Sequence, residues 1–171
     1  MDSKHSIIDG FTLVEVMIAI SVMAILIFGG VPSFIQLIRD TSVSTQSNSL
    51  VAAIGLARSE AVRRGVDVHL TAVTDDKNET AWSNGWVIWV DSDNDNARES
   101  SEVLRNYKSP DGELVLDKNV TDIVFNSQGE IRGGDIYTFQ LKPPGCQAQG
   151  KRELKIKSTG RPSITKVDCE L

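Results

Sequence analysis

The stretch GFTLVEVMIAISVMAILIFGGVPSFIQLI, residues 10–38, decides how this chain is read. Glu15 stands near its start, and from Val16 to Ile38 no charged residue occurs. As a helix rising about 1.5 Å per residue, such a run is long enough to cross a hydrocarbon core ~30 Å thick. A cleaved secretory signal fits badly. Such signals have a basic start, a shorter apolar core and a small-residue cleavage site after it. Here Lys4, with His5 beside it, is the one strongly basic residue before the run, and no A-x-A site follows. The segment therefore reads as a membrane helix that stays on the chain. Glu15 is then conspicuous, because a carboxylate at the centre of a membrane costs about 2.5–3.5 kcal/mol and such residues have partners and functions.

Working outward, Gly29-Gly30-Val31-Pro32 weakens the helix, since proline lacks a backbone donor and clashes with the preceding turn. The helical period then resumes. Leu50, Ile54, Ala57 and Ala61 recur at i, i+4, i+7 and i+11, with Arg58, Glu60, Arg63 and Arg64 off that stripe. Gly65 follows as a C-cap. These signals predict one long helix from about Phe11 to Arg64. Residues 11–38 form its membrane part, residues 39–65 its amphipathic part, and the Ser/Thr-rich stretch Arg39 to Ser49 an exposed stem.

From Val66 the period shortens. The segments 67–73, 85–90, 103–107, 114–116, 123–125, 137–141, 153–157 and 163–165 read as strands, with Gly85-Trp86-Val87-Ile88-Trp89-Val90 buried on both faces. Asn84-Gly85, Pro110-Asp111-Gly112, Gly133-Gly134 and Pro143-Pro144-Gly145 punctuate them as turns. One helix followed by a run of strands predicts an α+β fold, with antiparallel sheets of a head at 66–171 packed on the helix.

The totals agree. A chain of 171 residues suits one domain plus a membrane segment, and 40% hydrophobic with 24% charged residues supports a packed core. A net charge of -5 argues against wholesale nucleic-acid binding without excluding a local basic patch. Cys146 and Cys169 can form one disulfide in an oxidising compartment, tying the last strand back to the head; free buried thiols are the alternative.

Candidate chemistry is sparse. Asp91, Asp93 and Asp95 at alternate positions, with Glu102 twelfth from Asp91, mimic a calcium loop. Against this, Asn96 stands where such loops need glycine and the flanks read as strands, so a solvated hairpin explains the acids equally. Lys151, Arg152, Lys155, Lys157, Arg161 and Lys166 are basic in the direction of DNA binding, or else the outer face of an alternating strand. His69 reads as a structural strand residue. Trp82, Trp86 and Trp89 read as core rather than as sugar platforms. There is no G-x-S-x-G elbow, P-loop, HExxH or metal-type Cys/His cluster in the sequence, so neither an enzyme nor a cofactor is expected.

The tetrad Gly10-Phe11-Thr12-Leu13, running into Val14-Glu15, closely resembles the class III leader of type IV pilins and type II secretion pseudopilins. LARSEAVRRG (56–65), GWVIWVDSDND (85–95), FNSQGEI (125–131) and STGRP (158–162) resemble, in order, stretches of the GspH/FimT branch of that family. The resemblance implies a leader at 1–10, cut by a prepilin peptidase between Gly10 and Phe11, and N-methylation of Phe11. It implies that Glu15, fifth in the mature chain, pairs with a neighbouring subunit's terminal amine, and that Pro32 kinks the helix. Asp9 beside the cut departs from leaders that carry Lys or Arg nearby. The implied function is that of a minor pilin priming pilus assembly at or near the tip, supporting twitching motility and adhesion. Its partners would be other minor pilins, the major pilin and the inner-membrane assembly platform. The chain would sit in the inner membrane with a periplasmic head, then in the pilus. A type II secretion minor pseudopilin is the alternative. A DNA-binding competence pilin is a further one, through Lys155, Lys157 and Arg161, although the second arginine of its GRxR-like motif is absent from Gly160-Arg161-Pro162-Ser163. A nucleic-acid partner is not expected.

Overall fold

The computed structural model describes residues 11–77, 79–93, 95, 97–108, 113–116, 118–146 and 150–169, without the side chains of 29–33, 36 and 113. The leader at 1–10 and the Pro110-Asp111-Gly112 turn lie outside the described residues, apart from the backbone of neighbours.

One helix, α1 (Leu13–Arg64), precedes eight strands. Its start is capped: Thr12 Oγ1 accepts the Glu15 N–H at 3.2 Å, and Thr12 O accepts the Val16 N–H at 3.2 Å. Its end is set by Gly65, whose φ of 70° favours glycine and whose N–H reaches Ala61 O at 2.9 Å. Glu15 in the first turn and Arg63 and Arg64 in the last complement the helix dipole. The backbone is helical through Pro32.

The chain divides into two compact units, residues 1–38 and residues 39–171. In the first, the large apolar side chains described between Phe11 and Phe28 are exposed, Phe11 and Phe28 at 83% each. A helix apolar all round calls for an apolar environment. Among the described residues, no helix is long and apolar enough to cross a membrane; the apolar run of the sequence continues through 29–33, where side chains are not described.

In the second unit α1 packs against two antiparallel sheets. The strands are β1 (Val68–Thr74), β2 (Thr80–Val90), β3 (Val103–Lys108), β4 (Glu113–Leu116), β5 (Asp122–Phe125), β6 (Tyr137–Lys142), β7 (Lys151–Ile156) and β8 (Pro162–Val167). One sheet has the order β3-β2-β1-β5, the other β4-β6-β7-β8. The core joins Val43, Leu50, Ile54, Ala57 and Ala61 of α1 to Leu70, Ile88, Ile123 and Phe125 of the first sheet and Phe139, Leu154 and Ile156 of the second. Each fully buried Leu, Ile or Phe side chain contributes about 1.5–3 kcal/mol. The α+β expectation and all eight expected strands are present.

Two expectations about local structure are corrected. The stretch Arg39 to Ser49 is not an exposed stem, since Val43 is 0% and Ser47 3% exposed. Ser47 extends the Leu50 stripe by one turn and Val43 by two. Burial of Ser47 is tolerated because its hydroxyl donates to Val43 O at 2.8 Å. Nor is Asn84-Gly85 a hairpin turn. It lies inside β2, where pairing jumps from Ala72↔Trp86 to Val73↔Ala81, a bulge that Gly85 accommodates at φ 105°. The reversal between β1 and β2 is made instead by Asp75, whose Oδ1 accepts the N–H groups of Lys77 at 3.0 Å and Glu79 at 2.8 Å. Cys146 and Cys169 are disulfide-bonded, with Cα atoms 5.8 Å apart, and fasten the end of β8 to the turn after β6. A loop of this length is worth about 3 kcal/mol in the chain-entropy picture.

Candidate assembly segment and surface sites

At the start of α1, Thr12 and Glu15 stand at the spacing of a capping box. The cap fixes where the helix begins, so Glu15 occupies its third position, one turn from Phe11. Phe11 and Glu15 are both exposed. An exposed carboxylate, a helix start and an apolar surface thus occur together over residues 11–28. That combination suits burial against other helices with an ionic partner for Glu15.

At the other end of α1, three sequence motifs meet. Arg58 of LARSEAVRRG donates from Nε to Gly129 O of FNSQGEI at 3.0 Å. The Ile131 N–H donates to Ser158 O at 2.8 Å, joining FNSQGEI to STGRP. A Cβ added to Gly160 would stand 2.2 Å from Gly129 O. The helix and one turn from each sheet are therefore locked at a single carbonyl. Arg58, which helical periodicity places simply off the buried stripe, is the residue that reading undervalued. Nearby, Glu60 accepts from Arg63 and Arg64, and these guanidinium groups, Arg63 first, hold its carboxyl below the ordinary carboxylate range. A depressed carboxyl stabilises the fold above its unfolded-state pKa, and the contribution is lost as pH falls through the folded value.

The acidic turn joins β2 to β3. Asp91, Asp93 and Asp95 each place one carboxylate oxygen within 4.8 Å of the others. The loop uses these oxygens itself: Asp91 Oδ1 accepts the Asp95 N–H at 3.1 Å, and Asp95 Oδ1 accepts that of Ala97 at 2.7 Å. Glu102, 5% exposed, accepts from the Ser92 N–H at 2.6 Å through Oε1 and from the Glu99 N–H at 3.4 Å through Oε2. It closes the base of the loop and is not grouped with the three aspartates.

Of the basic residues near the C-terminus, Lys155, Lys157, Arg161 and Lys166 are exposed. Arg152 is corrected as a surface cation. It is 6% exposed, on the core face of β7, and donates from Nη2 to Ser44 Oγ of α1 at 3.2 Å. Strand alternation explains this: Arg152, Leu154 and Ile156 point inward while Lys151, Glu153 and Lys155 point outward.

His69 belongs to a closed ring on the outer face of the first sheet. Its Nδ1 lies 2.8 Å from Asp122 Oδ2, Thr71 Oγ1 donates to Asp122 Oδ1 at 2.7 Å, and Trp89 Nε1 donates to Thr71 Oγ1 at 2.8 Å. The His69 and Trp89 rings stack at 4.1 Å, which completes the circuit. Because the Thr71 proton goes to the carboxylate, the imidazole does not activate that hydroxyl. The ring cross-links β1, β2 and β5 instead. Trp82 and Trp86 are core residues, 5% and 2% exposed.

A family model described as type II transport protein GspH matches residues 46–160. A second, the prokaryotic N-terminal methylation motif, matches residues 8–31. Among curated proteins nothing matches. The solved structure of the type IV minor pilin FimU of Pseudomonas aeruginosa is similar with a TM-score of 0.56 at 22% identity, over 71% of this chain and 91% of that one. The minor pseudopilin EpsH from the Type 2 Secretion System of Vibrio cholerae is similar with a TM-score of 0.53 at 12% identity, over 73% of this chain and 97% of that one. At these identities the likeness is one of fold.

Proposed function

Because the chain belongs to the type II transport protein GspH family, a branch of the type IV pilins and pseudopilins, we propose that it serves as a minor pilin similar to FimU. In this reading it primes pilus assembly and enters the filament at or near its tip, supporting twitching motility and adhesion. The observation that carries the reading is the pairing in one chain of a methylation-motif match over 8–31 with a head of this family. The role is structural, resting on packing and charge pairing rather than turnover. Residues 11–38 hold the chain in the inner membrane with its head in the periplasm. A prepilin peptidase cuts between Gly10 and Phe11, and Phe11 becomes the methylated terminus. Glu15 then meets the terminal amine of a neighbouring pilin, which offsets the cost of burying either charge and sets axial register. Pro32 provides the bend in α1. Partners are the other minor pilins, the major pilin and the assembly platform.

The alternative of a type II secretion pseudopilin is favoured by the likeness to EpsH and by the family description itself. A deletion strain separates the two. Lost twitching with normal exoprotein secretion is expected, while normal twitching with lost secretion overturns the pilus assignment.

Within either machine, Glu15→Ala should leave membrane insertion and leader removal intact and reduce incorporation into filaments several-fold. Immunoblots of membrane and sheared-filament fractions measure both. Incorporation at the wild-type level would remove Glu15 from the register-setting role.

A further inference from the structure

The pattern DKN-x-T occurs twice in the chain, as Asp76-Lys77-Asn78-Glu79-Thr80 and as Asp117-Lys118-Asn119-Val120-Thr121. Of the eight asparagines in the sequence, only Asn78 and Asn119 have a hydroxyl residue at the second position after them, and both have Asp two residues ahead. An asparagine followed at that spacing by Ser or Thr, with no proline between, is the acceptor pattern for N-linked sugar on a surface loop of an exported protein. Residues 118–121 are described, so Asn119 can be judged by its surroundings.

Asn119 lies between β4 and β5. The Val120 N–H donates to Lys118 O at 2.8 Å, which makes a γ-turn with Asn119 at its centre. Asn119 and Thr121 are both exposed. Among the described residues, no hydrogen bond engages either side chain. The backbone and flank of the turn are held. Val120 O accepts from Trp82 Nε1 at 2.8 Å, Thr121 O accepts from the Ala72 N–H at 2.8 Å, and Lys118 Nζ donates to Asp135 Oδ1 at 2.5 Å. The turn thus presents an uncommitted amide and an uncommitted hydroxyl two residues apart on a fixed frame, and a sugar on Asn119 displaces no internal hydrogen bond. We propose that Asn119 is the acceptor for an N-linked oligosaccharide delivered from a lipid pyrophosphate. The Asn119 amide nitrogen bonds to the anomeric carbon of the first sugar. The bond from that carbon to the pyrophosphate oxygen breaks, the lipid pyrophosphate leaves with the electron pair, and the amide gives up a proton to solvent. A chain held in the inner membrane by residues 11–38 shares that membrane with a lipid-borne donor, so the inference rests on the proposed periplasmic placement of the head. It adds that the turn between β4 and β5 faces solvent in the assembled filament, where a bulky glycan has room.

Peptide mass spectrometry of the full chain, purified from membranes of its native cell, tests this directly. The peptide containing Asn119 should be heavier by whole sugar residues, with fragments that place them on Asn119. Asn119→Gln should abolish the addition. Thr121→Ala should lower occupancy several-fold and Thr121→Ser should restore it; Thr121 is exposed, so this pair keeps the fold even if Asn119→Gln does not. A bare Asn119 in the parent chain overturns the proposal, as does sugar on Asn78 alone or undiminished occupancy in Thr121→Ala. The same digest run without reductant reports the Cys146–Cys169 disulfide, and with it the oxidising compartment. A disulfide-bonded chain with bare Asn119 overturns the glycan and leaves the placement of the head standing, whereas free thiols with bare Asn119 overturn both.

Discussion

Gly10→Val should leave a protein that enters the membrane but keeps its leader, and that is absent from filaments. The proposed scissile bond joins Gly10 to Phe11 within the segment matched by the methylation motif. Glycine allows a close backbone approach that a β-branched side chain obstructs. The consequence reaches beyond processing. With the leader in place, Phe11 has an amide rather than an amine, so the carboxylate of a neighbouring subunit has no cation to meet here. Burying one member of such a pair without the other costs about 3–5 kcal/mol, which converts to a loss of about 150-fold to 5,000-fold in an association equilibrium. Intact-mass measurement of the membrane fraction should show the full chain with an unmethylated start, and sheared filaments should contain none of it. A chain of mature mass beginning at methylated Phe11 would refute the cut site. Glu15→Ala removes this chain's carboxylate but leaves its own terminal amine free, so comparing the two variants separates the two ends of the intersubunit pairing.

What was legible in the sequence follows the range of the physical signals. Strands reveal themselves through alternation or through short unbroken apolar runs, and the run from Gly85 to Val90 is buried on both faces as its composition predicts. The helix end was readable because Arg63, Arg64 and Gly65 are local cap signals. Errors arose where a local signal met a long-range contact. Asn84-Gly85 has the composition of a turn, but its glycine accommodates a bulge within β2. The Arg39 to Ser49 stretch is polar in composition, yet Val43 and Ser47 continue the buried stripe and Ser44 receives Arg152 from β7. Arg152 looked like one of a row of cations, although strand alternation alone would have turned it inward. The candidate assembly segment was read mainly through resemblance. Its capping hydrogen bond adds a local reason for Glu15 to follow Thr12 by three residues. The meeting of Arg58, Gly129 and Gly160 was invisible to periodicity, because it joins three segments far apart in the chain.

That meeting point predicts a large loss of stability in the head from the smallest of side-chain additions. Gly160→Ala should destabilise it by about 2–5 kcal/mol, from two separable causes. Gly160 has φ 72°, in the left-handed region, where a side chain costs about 1–2 kcal/mol. The new Cβ would also stand 2.2 Å from the backbone oxygen of Gly129. That oxygen cannot yield freely, since it accepts from Arg58 Nε and its turn is tied to Ser158 through Ile131. Overpacking of this kind costs about 1–3 kcal/mol more. Gly65→Ala is the matched control. Its φ of 70° is nearly the same, but a Cβ there meets nothing within 4 Å, so it incurs only the backbone cost. For a chain of this size, 1 kcal/mol moves the melting temperature by about 2–4 °C. Gly160→Ala should therefore melt about 4–20 °C below the parent, and Gly65→Ala about 2–8 °C below it. Equal shifts in the two variants would show that the contact with Gly129 carries no weight. A larger loss at Gly160 would show that the carbonyl of Gly129 is where α1 and both sheets are held together.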